Sequence, residues 1–160
     1  VVHELLEHAA PRWAADPELP AHLLDLARYE ETKWRVASLE ELAPPVRELD
    51  FEAPAVINAT ARTLAVEHRV DEDPRRPRKL DEPHRLVVYR APGSARIRTY
   101  VLNRIGGRLF EAWSKDQSCA DGAREVLAGL DRAPDARFVD GMAEVLADLV
   151  DKQVVLGSPR

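Results

Sequence analysis

The sequence predicts an α+β protein with an N-terminal helical arm, an antiparallel sheet and three C-terminal helices. The first observation behind this prediction is a pair of short runs, His84–Arg90 and Arg96–Leu102, joined by the turn residues Ala91-Pro92-Gly93-Ser94. Two such runs around a short Pro-Gly turn indicate a β-hairpin. The second observation is that apolar residues recur at helical spacing three times after the hairpin. The third is the apolar run Val154–Leu156, which can return to the sheet as a strand.

Each of the three C-terminal helices has an apolar stripe, and two of them have a recognisable start. Asn103 follows the hairpin directly as an N-cap, and Ser118-Cys119-Ala120-Asp121 has the spacing of a capping box with Asp in place of Glu. The stripes comprise Ile105, Leu109, Phe110 and Trp113, then Ala123, Val126, Leu127 and Leu130, then Phe138, Met142, Val145, Leu146 and Leu149. A hairpin, three helices and a strand, in this order, are the elements of a winged-helix-like domain.

The chain divides into a helical arm, residues 1–45, and a sheet with the winged-helix-like domain, residues 46–160. We expect the arm to be the end of a longer N-terminal region. It contains two predicted helices, residues 1–14 and Ala21–Ala37, and Pro11 is expected to kink or end the first. The apolar residues expected to pack in the arm are Leu5, Leu6, Trp13, Leu23, Leu26 and Trp34. Trp34→Ala should then cost about 3–5 kcal/mol.

The segment between the arm and the hairpin contains two further alternating runs. Arg47–Glu52 and Thr63–Val70 are predicted to be strands with one wet face. The charged, proline-rich segment Asp71–Pro83 is predicted to be a loop. We therefore expect a sheet of four or five antiparallel strands with three helices on one face.

Charge and cysteine content narrow the classes of partner. The formal net charge is −5, but residues 69–108 carry a net +6 between flanking segments of net −7 and −4. This asymmetry indicates an acidic partner or intramolecular docking. One cysteine excludes an internal disulfide, which fits a cytoplasmic location. No apolar run reaches the roughly 18 residues of a spanning helix, so we expect no membrane association.

Residues capable of chemistry do not form a recognisable catalytic or metal-binding pattern. The five histidines lack metal-ligand spacing, and Cys119 has no histidine near it in sequence. Glu30 lies on an apolar stripe, where we expect an ion pair with an arginine of the sheet. Gly106-Gly107 lies within a helical pattern, so it indicates close approach to a neighbour such as the sheet. The sequence predicts no enzyme, no cofactor and no metal site.

Two functional classes remain open on the residues alone. A winged helix suggests DNA binding, for which the third helix should present a basic face to the phosphates. The polar face of this helix instead carries Asp140, Glu144, Asp148 and Asp151 against Arg137 and Lys152. Specific binding of nucleic acid is therefore not expected from this helix.

The other class is peptide binding, in which an extended peptide adds as a strand to an exposed sheet edge. In Arg96–Leu102, Ile97, Thr99 and Val101 are predicted to face inward, with the intervening residues outward. The third helix would supply pockets for side chains of the peptide. The candidate peptide-binding residues are Arg96, Ile97, Arg98, Thr99, Tyr100, Val101, Met142 and Val145.

Two stretches resemble known families. The segments "YVLNRIGGRLFEAW", "SCADGAREVLAGL" and "FVDGMAEVLADLVDKQVV" resemble PqqD-like peptide-recognition domains. Leu102-Asn103 and Trp113 match that pattern, and Gln153 stands where the family often has glycine. Upstream, "LPAHLLDLARYEETKW" resembles the HvfC family, whose motif fits Leu26-Ala27-Arg28-Tyr29-Glu30, with Glu31 in place of the usual Trp.

The resemblances favour peptide binding over DNA binding. A PqqD-like domain implies a protein that holds the leader of a ribosomally made precursor peptide. The HvfC resemblance implies a separate multinuclear iron oxidase as partner, with iron bound there and not by this chain. The runner-up expectation is a winged-helix DNA-binding transcriptional regulator, a role often suggested for HvfC-like proteins from their fold.

Overall fold

The computed structural model describes residues 2–42, 44–130 and 135–160. The elements in chain order are α1 Val2–Ala15, α2 Leu23–Ser38, β1 Val46–Arg47, β2 Val56–Ile57, β3 Arg62–His68, β4 Lys79–Arg90, β5 Ile97–Leu102, α3 Arg104–Trp113, α4 Cys119–Ala128, α5 Ala136–Asp151 and β6 Val155–Pro159. The predicted α+β class is confirmed, as is the order of hairpin, three helices and closing strand. Pro11 lies inside α1 and does not end it.

The strands form two antiparallel sheets of three strands each. The main sheet has the order β3-β4-β5, so the long strand β4 is central. The small sheet has the order β1-β6-β2, with the C-terminal strand in the middle. The predicted single sheet of four or five strands is therefore wrong, because the closing strand pairs with short segments near residues 46 and 56 rather than with the hairpin.

Helices cover both faces of the main sheet at its central strand β4. Val87 and Tyr89 of β4 point into a core with residues of α3, α4, α5 and β6, among them the fully buried Trp113. Leu86 and Val88 point the other way, into a core with α2.

The expected wet face is confirmed for β3, where Thr63, Ala65 and Glu67 are exposed while Val66 and His68 are buried. It does not extend to β4, which is buried on both faces. The four consecutive apolar residues of β4 give the physical reason, since a strand apolar on both faces needs cover on both.

Two predicted segments have different boundaries in the structure. The run Arg47–Glu52 contributes only Arg47 to a strand, because β1 is Val46–Arg47 and the chain then turns. The predicted loop Asp71–Pro83 is too long, because β4 begins at Lys79. The register changes between the pairs Val66↔His84 and His68↔Lys79, so Pro83 lies at an irregularity of the ladder, a site where proline is tolerated.

The arm packs differently from the prediction. Helix α2 contacts all three strands of the main sheet. Its buried residues are Tyr29, Glu31, Thr32 and Val36. Trp34 and Leu5 are 64% and 63% exposed, so their predicted packing is wrong. The other four predicted residues, Leu6, Trp13, Leu23 and Leu26, are partly buried.

The predicted burial of Glu30 is also wrong. Glu30 is exposed and pairs with Lys33 at 2.7 Å instead of with an arginine of the sheet. The buried carboxylate is the next residue, Glu31, which lies 3.6 Å from Arg35 on the same helix. The helix is rotated by about one residue relative to the predicted stripe, because Tyr29 and Val36 take the sheet-facing positions.

Local signals at the helix starts are confirmed. Asn103 Oδ1 accepts from Gly106 N at 2.8 Å, and Ser118 Oγ accepts from Asp121 N at 3.0 Å. The expected close approach of the glycine pair is confirmed at Gly107, where a Cβ would lie 3.2 Å from Cβ of Arg85 on β4. These contacts seat α3 directly on the sheet beside the end of β5.

Candidate peptide-binding site

Strand β5 forms one edge of the main sheet. It pairs with β4 from Ile97↔Arg90 to Leu102↔Arg85. Among the described residues no strand pairs with its other side. In an antiparallel pair, alternate residues direct N–H and C=O to the same neighbour. Half of the β5 residues therefore direct these groups to the open side, where an extended peptide can add.

The opposite edge of the sheet is partly covered. Asp25 on α2 accepts hydrogen bonds through Oδ2 from the backbone N–H groups of Glu67 and His68, both at 3.0 Å. The same oxygen lies 2.8 Å from Nδ1 of His68. Since these donors of β3 are already satisfied, β5 is the better edge for an added strand.

The alternation of β5 distributes its side chains between two helical layers. Ile97 and Val101 pack against the core beneath α2, and Thr99 Oγ1 lies 2.8 Å from the hydroxyl of Tyr29 on α2. Tyr100 points to the opposite layer, where its hydroxyl donates to Asp148 Oδ2 of α5 at 2.9 Å. The expectation that Tyr100 lies on an outer face is therefore wrong. The alternation itself is confirmed.

Met142 and Val145 lie together in a groove between α3 and α5, which we call the α3–α5 groove. Its volume is about 390 Å³. It is lined by Asn103, Ile105, Gly106, Leu109, Arg137, Phe138, Gly141, Met142 and Val145. Because Asn103 directly follows β5, the groove meets the strand at its C-terminal end. The structure thus brings Met142 and Val145 together but places the β5 residues Arg96–Val101 outside this lining.

A second groove lies on the other face of β5, between this strand and α2, and was missed from the sequence. We call it the α2–β5 groove. It has a volume of about 540 Å³ and is lined by Tyr29, Glu30, Lys33, Trp34, Ala37, Ile97 and Thr99. The signal that could have found it is the spacing of Glu30, Lys33, Trp34 and Ala37, which lie on one stripe of a helix. This stripe of α2 lies beside the edge strand β5 and not over the middle of the sheet.

The charges around β5 are unevenly distributed. Arg96 and Arg98 are exposed, and within the described residues no carboxylate pairs with either. Burial raises the pKa of the Tyr89 hydroxyl, and the Arg98 guanidinium beside it opposes part of that rise. On the other side, α5 exposes Asp140, Glu144, Asp148 and Asp151. The start of β5 is therefore suited to acidic side chains, whereas the exposed face of α5 is unsuited to phosphates.

The described residues do not assemble a metal centre. No group of three or more His, Cys, Asp or Glu side chains among them is arranged to hold a metal ion. Cys119 is fully buried, and burial raises the pKa of its thiol, which disfavours the reactive thiolate.

Comparisons with known proteins leave function to be inferred from this geometry. Neither the models of known protein families nor the curated proteins give a match to the sequence. Among the described helices, none is long and apolar enough to cross a membrane. The open edge of β5 and the two grooves beside it remain as the features that a function must explain.

Proposed function

We propose that this protein is a non-catalytic, cytoplasmic partner protein in the maturation of ribosomally made peptides. It holds the leader of a precursor peptide by strand addition to β5 and presents it to a separate multinuclear iron oxidase. The single observation that carries the proposal is the open edge of β5, with the α2–β5 groove along one face and the α3–α5 groove at the C-terminal end of the strand. The resemblance of residues 100–155 to PqqD-like domains supports the same surface. The HvfC resemblance supports the iron-enzyme partner.

Charge supports a peptide over nucleic acid as the ligand. Arg96 and Arg98 beside the edge favour an acidic leader, since their charges are not neutralised by described carboxylates. The alternative is a winged-helix transcriptional regulator, in which α5 would enter the major groove. The exposed acidic residues of α5 oppose this, because phosphates repel them. We therefore expect only weak, salt-sensitive retention of genomic DNA fragments in a gel-shift assay.

Proline variants test strand addition directly. A random twelve-residue peptide library is displayed and selected on the wild-type protein, and a selected peptide is labelled for fluorescence anisotropy. Ile97→Pro and Arg98→Pro each remove one N–H, and because neighbouring residues alternate, one of the two N–H groups points outward. The variant that loses an outward N–H should stay folded by circular dichroism and bind roughly tenfold more weakly. Selection of no peptide, or wild-type binding by both folded variants, would contradict the proposal.

The partner is tested by affinity purification from the native host, followed by mass spectrometry and iron analysis. We expect a precursor peptide and an iron-containing oxidase to co-purify. A tight complex with a specific DNA fragment that survives physiological salt would instead favour the regulator.

A further inference from the structure

We propose that the α2–β5 groove is a specificity pocket for alternate side chains of the bound peptide, and that these side chains are aromatic or large aliphatic. This inference rests on the proposed function, since it assumes a peptide strand on β5. It adds that the N-terminal arm forms half of the binding site. It also defines the ligand as an acidic, extended peptide with apolar side chains at every second position.

Strand geometry makes the groove part of any such site. A peptide added to β5 would lie about 4.8 Å from it in the plane of the sheet, with successive side chains on opposite faces. One set of side chains would then point toward α5, on the side of Tyr100. The other set would point toward α2, on the side of Ile97 and Thr99, and meet the groove.

Contacts at both ends hold the walls of the groove in place. The hydroxyl of Tyr29, which lines the groove, forms a hydrogen bond of 2.8 Å with Thr99 Oγ1 of β5. Farther along, the segment after α2 holds the β4–β5 turn, since Glu41 Oε1 accepts from Gly93 N at 2.6 Å. Arg90 also donates to the carbonyl of Leu39. A site anchored at both ends loses little conformational freedom on binding, which favours affinity.

Trp34 supplies the apolar surface of the groove. It is 64% exposed although Tyr29 and Val36, on the neighbouring stripe of α2, are buried. Tryptophan is among the residue types enriched at positions that dominate binding energy, because its large ring buries much area at little entropic cost. An aromatic or aliphatic side chain of the peptide can pack against this ring.

The charges near β5 indicate that acidic side chains of the peptide belong to the set on the Tyr100 face of the strand, not to the set that enters the α2–β5 groove. In the groove, Lys33 pairs with Glu30 at 2.7 Å and lies 4.9 Å from the centre of the Tyr29 ring, so its charge is already balanced. Arg98, which lies on the same face of β5 as Tyr100, is not balanced in this way. Acidic residues of the peptide are therefore expected beside Arg98, toward the start of β5 and away from the Tyr100–Asp148 pair, where they alternate with the apolar ones that enter the groove.

Three labelled twelve-residue peptides test this pattern by anisotropy. The first alternates glutamate with phenylalanine and valine over six central positions, the second contains the same residues in an acidic and an apolar block, and the third replaces glutamate by lysine. Wild-type protein should bind the first at least roughly tenfold more tightly than the other two. Equal binding of the first and second peptides, or no binding of the first, would overturn the pattern.

Substitution of the tryptophan tests the groove. Trp34→Ala should weaken binding of the first peptide by roughly thirty-fold, and Trp34→Phe should restore part of the loss. Leu5→Ala is the matched control, because Leu5 is a large apolar residue of the same arm with 63% exposure. Its binding should equal that of wild type. Peptide binding should also shift tryptophan emission to shorter wavelength, and Trp34→Phe should abolish that shift.

The outcomes separate this inference from the proposed function. If the β5 proline variant loses the peptide while Trp34→Ala binds like wild type, strand addition stands and the groove assignment is wrong. If neither substitution affects binding, the proposed function is wrong as well. If sedimentation shows a wild-type dimer that Trp34→Ala dissociates, a second copy of the chain covers the groove and the inference is overturned.

Discussion

Tyr100 of β5 donates a 2.9 Å hydrogen bond to Asp148 of α5, which ties the edge strand to the last helix. Burial first, and then this carboxylate, raise the pKa of Tyr100 to about 12 from 10.0. The neutral phenol is therefore favoured by folding. The stabilisation that folding gains from the neutral Tyr100 phenol is fully present below pH 10 and is lost as the pH rises toward 12. Tyrosine-selective NMR should report a phenol that titrates above the ordinary range.

Asp148→Asn provides the control for that prediction. The substitution removes the negative charge but keeps an oxygen that can accept the hydrogen bond. The pKa of Tyr100 should fall toward its ordinary value yet stay raised, because burial is the larger cause. An unchanged titration in this variant would mean that Asp148 does not act on Tyr100 in solution.

Substitution of Trp34 and substitution of Trp113 by alanine should differ sharply in their effect on the free energy of unfolding. Trp113 is fully buried, and its Nε1 donates to the carbonyl of Cys119 at 3.0 Å. Trp113→Ala should lower the free energy of unfolding by about 3–5 kcal/mol. Trp34→Ala should change it by only about 0.5 kcal/mol, as for an exposed position. Urea unfolding of both variants measures this, and a large loss at Trp34 would show that its ring is packed.

Two helical glycines should respond oppositely to alanine. A Cβ at Gly122 would lie 2.9 Å from Cδ1 of the buried Trp113, so Gly122→Ala should destabilise by about 1–3 kcal/mol. A Cβ at Gly141 in α5 would meet nothing within 4 Å. Gly141→Ala should therefore stabilise by about 1 kcal/mol, through helix propensity. Thermal unfolding of the two variants measures both effects, and shifts of the melting temperature in the same direction would contradict this prediction.

Gln153 is strained, and glycine should relieve the strain. It has a φ of +61°, in the left-handed region, at the turn between α5 and β6. Gln153→Gly should raise stability by up to about 1 kcal/mol. Lys152→Gly is the control, since its φ of −78° is ordinary and glycine there only adds freedom to the unfolded chain. A destabilised Gln153→Gly protein would mean that the glutamine side chain has a role of its own.

Cys119 should be inert in the folded protein. Its side chain is fully buried, and burial raises the pKa of its thiol. A thiol reagent such as Ellman's reagent should react with it only at the rate of unfolding, and at once in denaturant. Rapid reaction in native buffer would show that the first turn of α4 opens.

Local patterns in the sequence determined much of this protein. The hairpin follows from two extended runs around a Pro-Gly turn, and the caps Asn103 and Ser118 follow from side-chain chemistry beside their helices. Both depend on residues a few positions apart, so spacing alone is informative. The alternation of β5 was likewise predictable, and so was the acidic exposed face of α5.

Only the tertiary structure decided which element covers which face. Alternation shows that β5 has two faces but not that α2 lies on one and α5 near the other. The buried Asn58 illustrates the same limit, since its Nδ2 donates to the carbonyls of Arg90 at 2.7 Å and Gln153 at 3.0 Å, both distant in sequence. Trp34 is exposed because Tyr29 and Val36 occupy the sheet-facing stripe of α2. Several rotations of an amphipathic helix bury similar apolar area, so contacts with the sheet select one.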